Sequence, residues 1–168
     1  MIEQVSMMKA TPDLNLPWDL SEWAGMVQLC AWVEEGVGGL DWGNPELGTW
    51  LQAHPDVQPQ VLLSVLTLAY ALGMYDAEEI ENACYNQPAF QNLRGKFPPP
   101  RAAQLSRFRR ENRGLLKYCL FELFKRAFKE RFETTGALIP AGIRKHLLES
   151  SVARLDIARQ MGRGSDSL

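Results

Sequence analysis

The spacing of apolar residues predicts helices along almost the whole chain. Between residues 19 and 35, apolar side chains recur at steps of three and four, and Asp19 precedes them as a candidate N-cap. Pro59 stands where a first helical residue is expected, ahead of a second apolar run that reaches Met74. Apolar residues surround most of this second helix, which is typical of a helix in the centre of a core.

Capping signals predict the helices that follow. Asp76 is a candidate N-cap for a helix that ends at Tyr85, and Pro88 opens a brief helix. The longest predicted helix begins near Arg101 and runs to about Phe132. The remaining predicted elements are a loop over 36–45, a short helix over 45–52 and a last helix from about Pro140 to Met161.

Strand signals are nearly absent, since the chain has neither sustained polar and apolar alternation nor an Asn-Gly hairpin. The sequence therefore predicts an all-α fold, a compact bundle of six or seven helices. Its 168 residues fit a single domain over residues 1–161, followed by a flexible tail over 162–168. No apolar stretch is long enough to span a membrane and the N-terminus lacks a signal-peptide pattern, so we expect a cytoplasmic protein.

Charge is sorted along the chain. Residues 1–85 hold 13 acidic side chains and one basic one, whereas residues 86–131 hold 12 basic and three acidic side chains. The formal net charge of −2 therefore hides a strong dipole. A basic block of this kind attracts polyanions even when the whole protein is nearly neutral.

An arginine-rich helix is predicted inside the basic block, at residues 104–113. At about 100° per residue, Leu105 and Phe108 fall on one face, which we expect in the core, while the opposite face presents guanidinium groups outward. Guanidinium forks bind phosphate oxygens or the edge of guanine bidentately. The candidate DNA contacts are Gln104, Ser106, Arg107, Arg109, Arg110, Arg113 and Lys117.

Other interpretations of the charged and aromatic residues are open. The basic face is also consistent with a solvated surface that pairs with the acidic half of the same chain. The first fifty residues carry five tryptophans, which are either core anchors or part of an acidic, aromatic docking surface. These tryptophans are Trp18, Trp23, Trp32, Trp42 and Trp50.

The remaining reactive residues predict no cofactor or metal. Cys30, Cys84 and Cys119 lie in apolar helical patterns, which favours buried free thiols over disulfides or ligands. His54 and His146 lack the partner spacing of a metal site. The glycine-rich loop lacks the lysine and the preceding strand of a nucleotide site, so we expect no small-molecule substrate.

The chain carries four short motifs in order: Ala69-Tyr70-Ala-Leu-Gly73, Glu79-Ile80-Glu81-x-Ala83-Cys84, Phe90-x-x-Leu93-x-Gly95 and Leu105-Ser106-x-Phe108-Arg109-Arg110. Together they resemble the N-terminal helical domain of InsH-type insertion-sequence transposases, a family with a DDE catalytic domain. The similarity covers about residues 54–128, mostly through the spacing of apolar positions. The chain departs from the family where Asp76-Ala-Glu78-Glu79 replaces a basic helix start.

The resemblance implies that the arginine-rich helix belongs to a helix-turn-helix-like unit that binds the ends of a mobile element. The family's catalytic domain begins with a strand that carries a metal-binding Asp, whereas Asp156 lies in a helical pattern with Arg154 and Arg159 nearby. Two-metal phosphoryl transfer needs converging carboxylates, so we expect no enzyme activity and no catalytic residue.

The sequence thus predicts a non-catalytic, transposase-like module that binds double-stranded DNA and acts in transposition and recombination of a mobile element. The alternative is a protein–protein interaction module that pairs with itself or with a full-length transposase. A degenerate reading frame without activity is a third interpretation.

Overall fold

The structure, a computed structural model, describes residues 16–43, 45, 58–135 and 141–166. Over these ranges it contains seven α-helices and no strand, which confirms the predicted all-α fold of six or seven helices. The helices are α1 (Met26–Gly38), α2 (Pro59–Ala71), α3 (Ala77–Asn86), α4 (Pro88–Arg94), α5 (Ala102–Glu111), α6 (Arg113–Thr135) and α7 (Ile143–Asp166).

The first predicted helix, residues 19–35, is divided in two. Asp19 is an N-cap as predicted, but of a 3-10 turn over Leu20–Glu22, where its carboxylate accepts a backbone N–H at 2.9 Å. Gly25 has an extended backbone, with φ −67° and ψ 155°, and stands as the N-cap of α1. Helix α1 then ends at Gly38, inside the region predicted to be a loop.

Helix α2 is the centre of the fold, as its apolar pattern predicts. It begins with Pro59 in the first turn and packs against the other six described helices. It ends earlier than predicted because Gly73 has a φ of 80°, a conformation that favours glycine. The Met74 N–H then bonds the Ala69 carbonyl at 2.8 Å, which closes the C-terminus in a Schellman arrangement.

Helices α3 and α4 begin where the capping signals predict. The Asp76 side chain accepts the Glu79 N–H at 3.3 Å and caps α3, and Pro88 occupies the first turn of α4. Arg94 of α4 links the two helices, since its Nε donates to the Cys84 carbonyl of α3 at 3.0 Å. Helix α3 packs against α4 and α2, and α4 also packs against α1 and α2.

The longest predicted helix, Arg101 to Phe132, is in fact two helices, so this prediction is wrong. Asn112 departs from helical geometry, with φ −129° and ψ 37°. Its side-chain N–H donates to the Phe108 carbonyl at 3.2 Å and satisfies the last turn of α5. An Asn side chain can hydrogen-bond a backbone carbonyl of the preceding turn and so favour the end of a helix. The spacing of apolar residues does not reveal such a bond.

The last helix differs from its prediction at its C-terminal end. Helix α7 packs along α6 and continues to Asp166, past the predicted end at Met161. The division into a domain and a flexible tail stays a prediction. The predicted helix over 45–52 lies outside the described residues apart from Pro45, which is helical.

The three cysteines are free and buried, as predicted. Burial raises the pKa of the Cys84 thiol to about 11 and that of Cys119 to about 12, from an ordinary value of 9.0. Burial also raises the pKa of Cys30. The thiols are therefore protonated and packed as small apolar groups in the core.

Candidate nucleic-acid interface

Two polar contacts hold the N-terminus of α5. The Gln104 side-chain oxygen accepts the Arg101 N–H at 3.0 Å, and Glu81 of α3 accepts the Ala102 N–H at 2.5 Å. Gln104, a predicted DNA contact, therefore has its side-chain oxygen engaged within the helix start. The Glu81 contact ties α5 to α3 and sets the direction in which the arginine-rich helix points.

The inner face of α5 is anchored in the core. Leu105 and Phe108 are fully buried, as predicted. Arg109 is buried with them at 8% exposure, so the predicted outward orientation of its side chain is wrong. Its guanidinium lies against α7, where a Cβ added to Gly162 would stand 2.5 Å from Arg109 Nη2.

The outer face of α5, which we define as Ala103, Arg107 and Arg110, is exposed. The buried residues Leu105, Phe108 and Arg109 define the inner face, and its centre lies about 50° around the helix axis from Phe108. Arg107 and Arg110 each lie about 150° around the axis from that centre. They flank the outward direction on its two sides, with the small Ala103 between them. Arg107 Nε also pairs with Glu111 Oε1 at 3.2 Å on the next turn.

At the junction of α5 and α6, the remaining predicted contacts are partly buried. Arg113 Nη2 lies 2.7 Å from Asp156 Oδ1 of α7, and Arg159 Nη2 lies 3.7 Å from the same oxygen. Lys117 is half-buried on the following turn of α6. Ser106 is half-buried and lines, with Arg110, a small cleft of about 220 Å³. The structure thus exposes Arg107 and Arg110 on the outer face of α5, while Arg113, after the break at Asn112, contacts α7.

The acidic half of the chain supplies a carboxylate partner for Arg126 of the basic block. Arg126 Nη1 lies 3.2 Å from Glu35 Oε2 and stacks over Trp32 at 5.7 Å. By contrast, the described carboxylate partners of Arg107 and Arg113 are Glu111 and Asp156, which lie outside that half. Pairing with the acidic half therefore accounts for Arg126 in the basic block.

A structurally important arginine that sequence reasoning missed is Arg154, which is 1% exposed. In the sequence it is one of two arginines near Asp156, whereas in the structure its guanidinium reaches four carbonyl oxygens. It donates to Tyr70 at 2.5 Å and Ala71 at 3.1 Å, both at the C-terminus of α2. It also donates to the carbonyls of Pro17 at 2.7 Å and Trp18 at 2.8 Å. Burial lowers the pKa of this group. The cation complements the negative end of the α2 dipole.

The tryptophans are mainly core anchors among the described residues. Trp32 is buried, and Trp23 and Trp42 pack against the core cluster. Trp18 is 58% exposed, with the Arg154 guanidinium 5.2 Å from its ring. Trp50 lies outside the described residues.

A larger cleft of about 930 Å³ lies between α1, α6 and α7. Its lining includes Trp32, Phe128 and Phe132, with Lys129 and Arg144 among its charged residues. It shares no residue with the outer face of α5. The two features are therefore separate candidate surfaces.

Within the described ranges, no group of three His, Cys, Asp or Glu side chains is placed to hold a metal ion. No described helix is long and apolar enough to cross a membrane. The absence of enzyme activity and the cytoplasmic location stay predictions.

Comparison with protein families identifies part of the chain. Residues 44–111 match the family model described as Transposase domain (DUF772). This segment is transposase-related. It contains α2 to α5, and its C-terminal limit coincides with the end of α5. The narrower assignment to InsH-type transposases stays a prediction. Searches among curated proteins and among solved structures gave no significant match.

The motifs that resemble transposases lie mostly inside the fold of the transposase-related segment. Tyr70, Ile80, Phe90 and Phe108 from the four motifs are each at most 1% exposed. In the Phe-Arg-Arg motif, the first arginine is buried and the second, Arg110, is exposed. The motifs therefore fix the packing that presents α5, while few of their side chains reach the surface.

Proposed function

We propose that the chain is a non-catalytic module that binds duplex DNA at the ends of a mobile element, through the outer face of α5 and the start of α6. The observation that carries this proposal is the pair of exposed arginines, Arg107 and Arg110, on a helix anchored in the core by its other face. That helix closes the transposase-related segment. An anchored helix with outward arginines suits phosphate contacts and groove contacts.

The residues have different parts in this proposal. Arg107 and Arg110 contact the backbone or base edges, and Arg113 and Lys117 continue the contacts along α6. Ser106 adds a hydroxyl near the N-terminus of α5, and Gln104 retains its amide N–H groups for a polar contact. Arg109 is left out because it is buried, and we assign it to the packing of α5 on α7.

Neighbouring acids limit how DNA approaches this surface. Helix α3 packs against α5, and we assign this pair to the helix-turn-helix-like unit. Glu78 and Glu79 at the start of α3 are exposed, and Glu78 lines the small cleft beside Arg110. These carboxylates repel the phosphate backbone, so DNA approaches the protein from the side of the arginines.

The test is fluorescence anisotropy of a labelled 20-base-pair duplex at salt concentrations from 25 to 200 mM. We expect a dissociation constant of about 10⁻⁴–10⁻⁶ M at physiological salt, typical of non-specific binding. Four phosphate contacts predict a slope of log K against log salt of about −3.6. Binding that ignores salt, or no binding at 25 mM, would contradict the proposal and favour a protein partner.

The non-catalytic part of the proposal is supported by the setting of Asp156. Its carboxylate is engaged by Arg113 at 2.7 Å on a helix surface. With Mg²⁺ or Mn²⁺, we expect the purified protein neither to nick nor to join duplex ends, as followed on a denaturing gel. Metal-dependent cleavage that is lost in Asp156→Asn would overturn this part.

A second candidate function is self-association through the 930 Å³ cleft. Its lining includes the buried aromatic rings of Trp32, Phe128 and Phe132. Gly36 of α1 lines this cleft, and a Cβ built on it meets nothing within 4 Å. Gly36→Arg therefore adds a long cationic side chain beside the cleft, and its Cβ has room in the described structure. Sedimentation equilibrium tests it: a dimer that Gly36→Arg dissociates supports this function, and a monomer at all concentrations excludes it.

A further inference from the structure

The junction of α6 and α7 holds two arginines on one carboxylate. Arg113 Nη2 lies 2.7 Å from Asp156 Oδ1, and Arg159 Nη2 lies 3.7 Å from the same oxygen. The three side chains are 40%, 40% and 49% exposed, so solvent and ligands reach them. The carboxylate thus stands between two cations at the surface.

The residues of this group come from two helices that are distant in sequence. Arg113 opens α6 directly after α5, whereas Asp156 and Arg159 are separated by one turn of α7. Helices α6 and α7 pack along each other, which keeps the two arginines facing one position. A guanidinium group that donates to a carboxylate can donate to a phosphate with the same geometry.

We propose that Arg113 and Arg159 form a phosphate-binding position, which Asp156 occupies as an internal anion until a phosphate of duplex DNA displaces it. This inference rests on the proposed function and extends that surface onto α7. Arg159 is then a DNA contact outside the arginine-rich helix. Asp156 is a positioning residue that holds both arginines in the absence of DNA and competes with phosphate for them.

If Asp156 and phosphate compete for the two arginines, substitutions of Asp156 and of Arg159 have opposite effects on duplex affinity. Asp156→Asn removes the competing anion, so we expect tighter duplex binding, by up to about fivefold at low salt, the range of an exposed ion pair. Arg159→Gln removes one of the two arginines that hold this phosphate, so we expect weaker binding and a salt slope that is shallower by up to about 0.9.

Helix α7 supplies a matched control pair. Lys145 and Glu149 form an exposed ion pair at 3.9 Å, with the same signs of charge near the other end of the helix. Lys145→Gln and Glu149→Gln change the net charge by the same amounts as the two test variants. We expect both controls to bind the duplex nearly as the wild type does.

The experiment is anisotropy of the labelled 20-base-pair duplex with the full chain and all four variants, each checked for folding by circular dichroism. Tighter binding by Asp156→Asn and a shallower slope for Arg159→Gln, against unchanged controls, support the inference. Wild-type binding with test variants equal to their controls would overturn the inference alone. No wild-type binding at 25 mM salt would overturn the proposed function, and the inference with it.

Discussion

The inner and outer faces of α5 both carry arginine, but the arginines of the two faces have different surroundings. On the inner face, Arg109 is packed beside Phe108 against α7. On the outer face, the next arginine, Arg110, is exposed together with Arg107. Residue type alone therefore does not assign an arginine to binding. The position of the helix relative to its neighbours decides whether a guanidinium supports the fold or faces a ligand.

The largest expected effect is on the inner face. Phe108 is fully buried at the contact of α5 with the core. Phe108→Ala leaves a cavity there, and we expect a loss of about 3–5 kcal/mol in the free energy of unfolding. Urea unfolding followed by circular dichroism measures it. A loss below about 1 kcal/mol would mean that α5 is not anchored by this face.

Two adjacent arginines give a sharper comparison of the faces. Arg109→Ala removes a buried charged side chain and leaves the groups that it contacts without this partner, and we expect a loss of about 1–3 kcal/mol in the free energy of unfolding. Arg110→Ala, its exposed neighbour, is expected to change stability by no more than about 0.5 kcal/mol. Thermal melts of both variants test this. Equal losses would show that the inner and outer faces are not distinct.

The stability of the protein at alkaline pH tests whether the thiols of Cys84 and Cys119 are buried. The expected change in stability is smaller than that of the core substitutions. The pKa of Cys84 is raised to about 11 and that of Cys119 to about 12, above the ordinary value of 9.0 in an unfolded chain. The unfolded state therefore loses these protons first, and stability falls as pH rises above about 9. We expect a modest loss between pH 8 and pH 10, reduced in Cys84→Ala and Cys119→Ala. Thiol labelling of native protein at pH 7.5 should be slow for both residues.

Local signals predicted many helix starts correctly. Pro59, Asp76 and Pro88 act at the positions that capping chemistry assigns to them. The break at Asn112 was missed because the apolar spacing continues through it, while the decisive contact is a side-chain bond to the Phe108 carbonyl. Helix starts that depend on near neighbours are therefore easier to predict than interruptions inside a continuous apolar pattern.

The two buried arginines show what sequence spacing cannot reveal. Arg109 is covered by α7 at Gly162, more than fifty residues further along the chain. Arg154 bonds carbonyls of Trp18 and Tyr70, which are 136 and 84 residues away in sequence. Because these partners meet through tertiary packing, helical geometry placed Arg107 and Arg110 correctly and failed for Arg109.

The most direct test of the account is duplex binding by a variant that changes the outer face alone. We expect Arg107→Gln/Arg110→Gln to retain the wild-type melting temperature within a few degrees. We expect its duplex binding in the anisotropy assay to be weaker, with a salt slope shallower by about 1.8, because two of the four phosphate contacts are lost. The control, Arg126→Gln/Arg131→Gln, removes the same charge from exposed positions of α6 and should keep most of the binding. Equal losses of affinity in the two double variants, or full binding by Arg107→Gln/Arg110→Gln, would contradict the assignment of the outer face of α5 as the DNA-binding surface.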